Sequence, residues 1–461
     1  MRTKDQPTLL RRVVTFNQVA FNAVLLIVGG SLVWSGDRRG GFLILLIIGA
    51  FAPFSFSRLG LYRYLERHLP AAFVGPLAAS GLLFDWIMTA QILGARQTED
   101  SAWVHAMGVT WIGPVWFSAH ILLLLGYAAI GLVQFGRALL RRLPVKRWLT
   151  DGKLGTRLSP SSTLDPVMGR RELVQKAGLV AVAVPFGVSV SSIPLSYDFR
   201  VETREFILPN WPAALDGLRV VHLSDIHVGG AMDRDRLLRV AELANGCEPD
   251  LVVHTGDFLT HRPGEFDKPL YEALAAIRAP HGQWGCFGNH DYENPDRFER
   301  RVHESGVTIL RNRLATIPID GHILEVGGLE FAFNRLNRAP IYAESMQSWG
   351  ARTGSARILL NHDPTGFASL PAGCADLVLS GHTHGGHIGV QLSPSTAITL
   401  VGLIGIPDQG LFGRDDMRMY VTRCVGFYGY PMRIGIPPEV ALLILRSPQV
   451  VGAPATEARA A

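Results

Sequence analysis

The chain has 461 residues, 48% of them hydrophobic and 18% charged, with a formal net charge of +5. That length allows two or three domains, and the hydropathy is high for a protein built only of water-exposed ones. The basic excess lies between apolar segments and forms no stripe interleaved with aromatics, which excludes a nucleic-acid footprint.

Taken from the beginning, four segments read as membrane spans: residues 13–34, 41–56, 71–93 and 112–135, within a transmembrane region of 1–140. The second is short, and Pro53 would kink it. Arg11 and Arg12 precede the first span, Arg58, Arg63 and Arg67 follow the second, and Arg137, Arg141 and Arg142 follow the fourth. By the positive-inside rule the N-terminus is then cytoplasmic and the loop around 97–108 faces out. Asp85 and His120 would lie at one depth in spans three and four, where pairing or a polar cavity is expected. Residues 141–172 are rich in Pro, Ser, Gly and Arg and read as a basic cytoplasmic linker. Arg170 and Arg171 then precede an apolar run, 177–195, broken by Pro185. This fifth membrane segment, 173–196, resembles a twin-arginine export signal lying inside the chain. If it crosses, everything after it is periplasmic or extracytoplasmic; if it lies on the surface, the rest faces the cytoplasm.

From 197 to 450 the pattern changes to short apolar runs closed by polar residues. The runs 218–223, 250–254, 283–287, 356–360 and 375–379 read as buried strands. They end in Asp225-Ile226-His227, Gly256-Asp257, Gly288-Asn289-His290-Asp291, Asn361-His362 and Gly381-His382-Thr383-His384. Segments 233–245, 268–277 and 296–304 have helical spacing and connect the strands, as in an α/β layer. Runs 419–423, 432–436 and 440–445 read as late strands, and 451–461 as a disordered tail. Imidazoles, carboxylates and one amide oxygen brought together at strand ends suit two adjacent divalent metals, Mn, Fe or Zn. Cys247, Cys286, Cys374 and Cys424 have no paired spacing and give no metal signature.

This series of motifs resembles the calcineurin-like metallophosphoesterases, over about 198–446. The resemblance implies two β-sheets sandwiched together and flanked by helices, α/β (α+β) in class, with the site at the strand ends. It implies that Asp225, His227 and His384 hold one metal, that Asn289, His362 and His382 hold the second, and that Asp257 bridges them. His290 would act near the leaving group as general acid or transition-state stabiliser. Hydrolysis would proceed by attack of a metal-bridged hydroxide on a phosphodiester, phosphomonoester or pyrophosphate. The sequence departs from the family where many members carry an Asp that orients the catalytic histidine, since Thr260 and His261 stand there; Asp291 is the substitute, or a turn former. His387 replaces a usual Gln and is a candidate substrate contact or a backbone-bonding histidine. Membrane tethering favours a lipid-linked phosphate as substrate. Related enzymes include exported phosphodiesterases and UDP-diacylglucosamine pyrophosphatases of lipid A synthesis, the latter requiring a cytoplasmic face. A non-catalytic membrane sensor or scaffold is the alternative of another class.

Overall fold

A computed structural model describes residues 187–229, 232–260, 267–350, 352, 354–393, 396–427 and 431–460, together with 122, 184 and 185. Apart from residue 122, the four expected spans and the linker lie outside these residues, as does the first part of the fifth segment. Residues 187–195 are helical, and among the described residues no helix is long and apolar enough to cross a membrane. The chain divides into two compact units, Met1–Val190 and Ser191–Ala461, and both large sheets belong to the second.

The first sheet runs, edge to edge, β1 (Arg200–Ile207), β14 (Glu439–Arg446), β2 (Leu218–Leu223), β3 (Leu251–His254), β4 (Gln283–Gly285) and β5 (Val307–Ile309). The second runs β15 (Arg459–Ala460), β12 (Gly410–Arg414), β13 (Met417–Val421), β9 (Leu377–Ser380), β8 (Ala356–Leu360), β7 (His322–Gly328) and β6 (Arg313–Ile319). A separate hairpin pairs β10 (Gly389–Ser393) with β11 (Thr396–Thr399). Strands β2 to β5 are parallel, as are β7, β8, β9 and β13. Parallel neighbours need crossovers, and α1 (Arg234–Gly246), α2 (Lys268–Ala276) and α3 (Pro295–Glu304) supply them in the first sheet. Asp233 caps α1 by accepting from the Arg236 N–H, which fixes where the helix starts.

Both faces of the central strands are covered, which is why they read as short, mostly apolar runs. In β2, Leu218 and Val220 point between the sheets, while Val221 and Leu223 face the helices. The inter-sheet core adds Val253, Ile358, Leu360, Leu379 and Leu443; α1 to α3 cover the other face through Leu237, Leu270 and Phe298. Helix α4 (Arg338–Met346) covers the outer face of the second sheet through Tyr342. Four layers result, two mixed sheets flanked by helices.

Two expectations are corrected. Residues 432–436 do not form a strand; their pairing is limited to isolated bridges from Ile388 to Ile434 and Gly435. The end of the chain is not without order. Arg459 and Ala460 pair in parallel with Phe412 and Gly413, the Arg459 guanidinium lies 4.2 Å from the Phe412 ring centre, and Thr456 Oγ1 accepts from Ile207 N at 2.8 Å. The exposed edge of β12 offers backbone partners that a polar tail can satisfy without apolar burial.

Candidate metal centre

All the ligand loops leave the carboxyl ends of parallel strands, where α/β sheets place their sites. Their backbones are strained there. Asp225, His227, Asp257, His382 and His384 have φ of 53°, 48°, 52°, 67° and 51°, in the left-handed region that costs a non-glycine residue about 1–2 kcal/mol. Such strain persists only where the surroundings hold it. Asp225 N donates to Gly256 O at 2.9 Å, His227 N to Asp257 O at 3.0 Å, and His382 N to Asp225 Oδ2 at 2.9 Å, so each loop is pinned by another loop of the site. Two glycines permit this approach: a Cβ on Gly288 would collide with Asp257 Oδ1, and one on Gly381 with Ser224 Oγ and Asp225 Oδ2.

The side chains then converge. His384 Nε2 lies 3.2 Å and His227 Nε2 4.0 Å from Asp225 Oδ1, and His227 Nε2 is 3.5 Å from Asp257 Oδ2. On the other side His362 Nε2 is 3.3 Å from the same Asp257 oxygen, and His382 Nδ1 is 3.1 Å from His362 Nε2. Asp225, His227 and Asp257 thus offer donor atoms within 4.8 Å of one another, and Asp257, His362 and His382 form a second such group. Asp257 belongs to both. Three imidazoles turn Nδ1 to a backbone carbonyl, His227 to Leu259 O, His362 to Thr255 O and His384 to Gly426 O, which leaves Nε2 facing inward.

Electrostatics favour a cation here. Burial holds His227, His382 and His384 below the usual imidazole range, so they are neutral donors. Burial opposes a proton on His362 too, yet the Asp257 and Asp225 carboxylates outweigh it and push its pKa up to about 10. Asp257 is held well below the carboxylate range, against its burial, by His362 and His227. Asp225 Oδ1 and Asn289 Oδ1 are buried oxygens without a hydrogen-bond partner. In a folded protein such acceptors need a counterpart, and a hard divalent cation is one that oxygen and imidazole donors suit. The donor set therefore fits a divalent metal centre.

The remaining expected residues take different places. His290 is half-buried, donates its N–H to Asp257 Oδ1 at 2.9 Å, and has its ring 5.2 Å from that of His227. Asp291 is fully buried. Its oxygens accept from the N–H groups of Asp257, Phe258, Leu259 and Gly288, stapling two ligand loops. Burial and the charge of Asp257 push its carboxyl up to about 8, while those four donors favour the ionised form. His387 turns Nδ1 to Met432 O and sits 4.8 Å behind the His384 ring. Thr260 is half-buried beside Leu259, and His261 lies outside the described residues.

Sequence reasoning missed the supports. Cys424, set aside for want of paired spacing, donates its thiol to Asp225 Oδ2 at 3.1 Å and groups with Asp225 and His384. Ser224 Oγ donates to that same oxygen at 2.5 Å and accepts from Thr255 Oγ1 at 2.7 Å. Arg433 is wholly buried and donates to the carbonyls of His384, Cys424 and Gly426. Phe331 walls the other side, 5.8 Å from the His362 ring and 6.0 Å from that of His382. For Cys424 the one local signal was a non-glycine residue at φ 64°, and that is visible only in the fold.

Comparison with known proteins agrees with this geometry. Residues 218–386 match the family described as calcineurin-like phosphoesterase. A transmembrane protein with a metallophosphoesterase domain from Danio rerio is 29% identical over 308 residues, 64% of this chain and 68% of that one. The metallophosphoesterase YkuE of Bacillus subtilis is 28% identical over 61% of this chain and 98% of its own. UDP-2,3-diacylglucosamine pyrophosphatase LpxG of Chlamydia trachomatis is 27% identical over 53% of this chain and 88% of its own. The chain carries a calcineurin-like phosphoesterase domain, and it is a phosphoester hydrolase.

Proposed function

We propose that the chain is a membrane-anchored, dimetal hydrolase of lipid-linked phosphoesters. The observation that carries the metal centre is the sharing of Asp257 between two donor groups, beside the buried, unpartnered oxygens of Asp225 and Asn289. Asp225, His227 and His384 would hold one metal, Asn289, His362 and His382 the other, with Asp257 between them. When bound, two such metals supply a nucleophile at neutral pH and neutralise phosphoryl charge.

The chain's own residues do the rest. The pinned loops hold the donors in place before substrate arrives, which is where most of the gain in phosphoryl transfer arises. Asp291 keeps the loops of Asp257 and Asn289 in register by its four backbone contacts. His290, set against Asp257 and partly open to solvent, is placed to give a proton to the leaving oxygen. The wall of Phe331 limits water on the His362 and His382 side.

Anchoring is supported by the four apolar segments of the first third and by the transmembrane relative from Danio rerio. Confining enzyme and substrate to one surface favours a lipid-borne phosphate. The likeness to LpxG supports a second reading, cleavage of a UDP-linked diacylglucosamine at its pyrophosphate. The test uses the full chain in lipid nanodiscs. Metal content by mass spectrometry should reach two divalent ions per chain, and hydrolysis of a phosphodiester lipid should vanish on chelation and return with Mn²⁺. Turnover of UDP-diacylglucosamine alone would select the second reading, and no turnover of any phosphoester at full metal loading would overturn both.

A further inference from the structure

The segment that follows the last histidines has a composition unlike the rest of the domain. Residues 388–407 contain no charged side chain. They form the β10–β11 hairpin and a single helical turn, Leu400–Leu403. A hairpin on a water-facing surface turns its polar side outward. This one does the reverse. Val390 and Leu392 alternate on one face of β10, and Ile398 lies directly across from Val390 on β11. These three are 60%, 60% and 51% exposed, and Leu403 and Ile404, in the turn that follows, are 71% and 73% exposed. The half-buried positions between them, Gly389, Gln391 and Ala397, are small or polar.

This apolar surface is fastened to the metal centre. Thr399 Oγ1 donates to Asp408 Oδ2 at 2.5 Å, and Thr383 Oγ1, between His382 and His384, donates to Asp408 O at 2.7 Å. Gly389 N donates to Ile434 O and Leu400 N to Ile388 O, which closes the hairpin base and ties it to the 432–436 segment beside Arg433. An apolar patch of this kind marks a binding surface. Its occupant must offer neither charge nor hydrogen-bond partners to the five side chains. Twenty uncharged residues around exposed aliphatic side chains match the acyl boundary of a bilayer, where amphipathic elements seat their apolar face.

We infer that the β10–β11 hairpin and the turn after it insert into a lipid surface and set the mouth of the metal centre at the level of the headgroups. The inference deepens the reading of a lipid-linked substrate and rests on it for its purpose, but its test measures position and not turnover. All four native cysteines are buried, so introduced ones can be labelled alone. Leu392→Cys, Leu403→Cys and, as a control on β7, Ile323→Cys, itself 51% exposed, are each labelled with NBD in the full chain. The proteins are reconstituted into phosphatidylcholine–phosphatidylglycerol vesicles. Nitroxide-bearing phosphatidylcholine should quench the probes at 392 and 403 and leave 323 bright, while aqueous iodide should do the opposite. Iodide quenching at 392 and 403 equal to that at 323 overturns the inference. So does protection from both quenchers, which would mean that protein covers the patch, from a second copy or from another part of this chain. A lipid-seated hairpin without turnover of lipid phosphoesters would leave the inference standing and remove the substrate reading alone.

Discussion

The space between the two sheets and the edge a few residues further along the same strands are built on opposite terms. Between the sheets, Val220, Ile358, Leu379 and Leu443 sit in relaxed strand backbone, all fully buried. At the edge, Asp225, Asp257 and His384 hold left-handed backbones, two buried carboxylates stand side by side, and Asp225 Oδ1 has no hydrogen-bond donor. Each strained residue costs about 1–3 kcal/mol, so the interior must supply what the edge consumes. The difference separates stability from chemistry by residue, and substitutions can address either alone.

The largest effect is expected at the shared carboxylate. Asp257→Asn should bring hydrolysis to background and drop metal content below two ions per chain while the melting transition persists; full turnover would sink its place between the metals. Next comes His290→Ala, which should slow turnover about 10²–10⁴-fold, as for loss of a general acid. Both metals should be retained, with poor leaving groups slowed most. Equal slowing for good and poor leaving groups would rule out proton donation.

On the interior side the readout reverses. Leu443→Ala, opposite Val220 in the β14–β2 pair, should cost about 2–5 kcal/mol in denaturant unfolding, with turnover per folded molecule unchanged. A collapse of turnover at full folding would blur the separation. Chelation couples the two regions: a metal that binds only the folded state at a hundred times its dissociation constant adds about 2.7 kcal/mol, so stripping it should lower the melting temperature measurably. An unchanged melting temperature would mean that the strained loops hold themselves. The smallest effect is expected from Cys424→Ser. A hydroxyl can still donate to Asp225 Oδ2, so metal affinity should fall by no more than the about 10–100-fold typical of such supports, and a greater fall would assign the sulfur a larger part.

Where the sequence was legible follows from the same division. Strands β2 and β8 were readable to the residue because burial on both faces writes runs dominated by apolar residues, Leu-Arg-Val-Val-His-Leu and Ala-Arg-Ile-Leu-Leu. β1, Arg-Val-Glu-Thr-Arg-Glu-Phe-Ile, escaped because an edge strand keeps charges along its length. The β10–β11 hairpin escaped for another reason: with its apolar side outward it shows neither a buried run nor a charged loop. The donors were legible because each follows a strand that announces it. Their supports were not, since Cys424 meets Asp225 across 199 residues of sequence and no local pattern encodes that meeting. Asp291 was visible but ambiguous, and its four backbone partners make it a staple between loops.

Strand β14 lies between β1 and β2, with Ala441 paired to His222 and Val440 to Val201. On a ribosome adding about 5–20 residues per second, the partner of β2 emerges on the order of ten to forty seconds later. Throughout that interval β1 and β2 have open edges with no neighbour between them. The first sheet therefore closes only once β14 has been made, and a nascent domain stalled or cut short before 439 presents two open strand edges to whatever chain is nearest. Truncations that remove Glu439–Arg446 should be read as defects of assembly before they are read as defects of the active site.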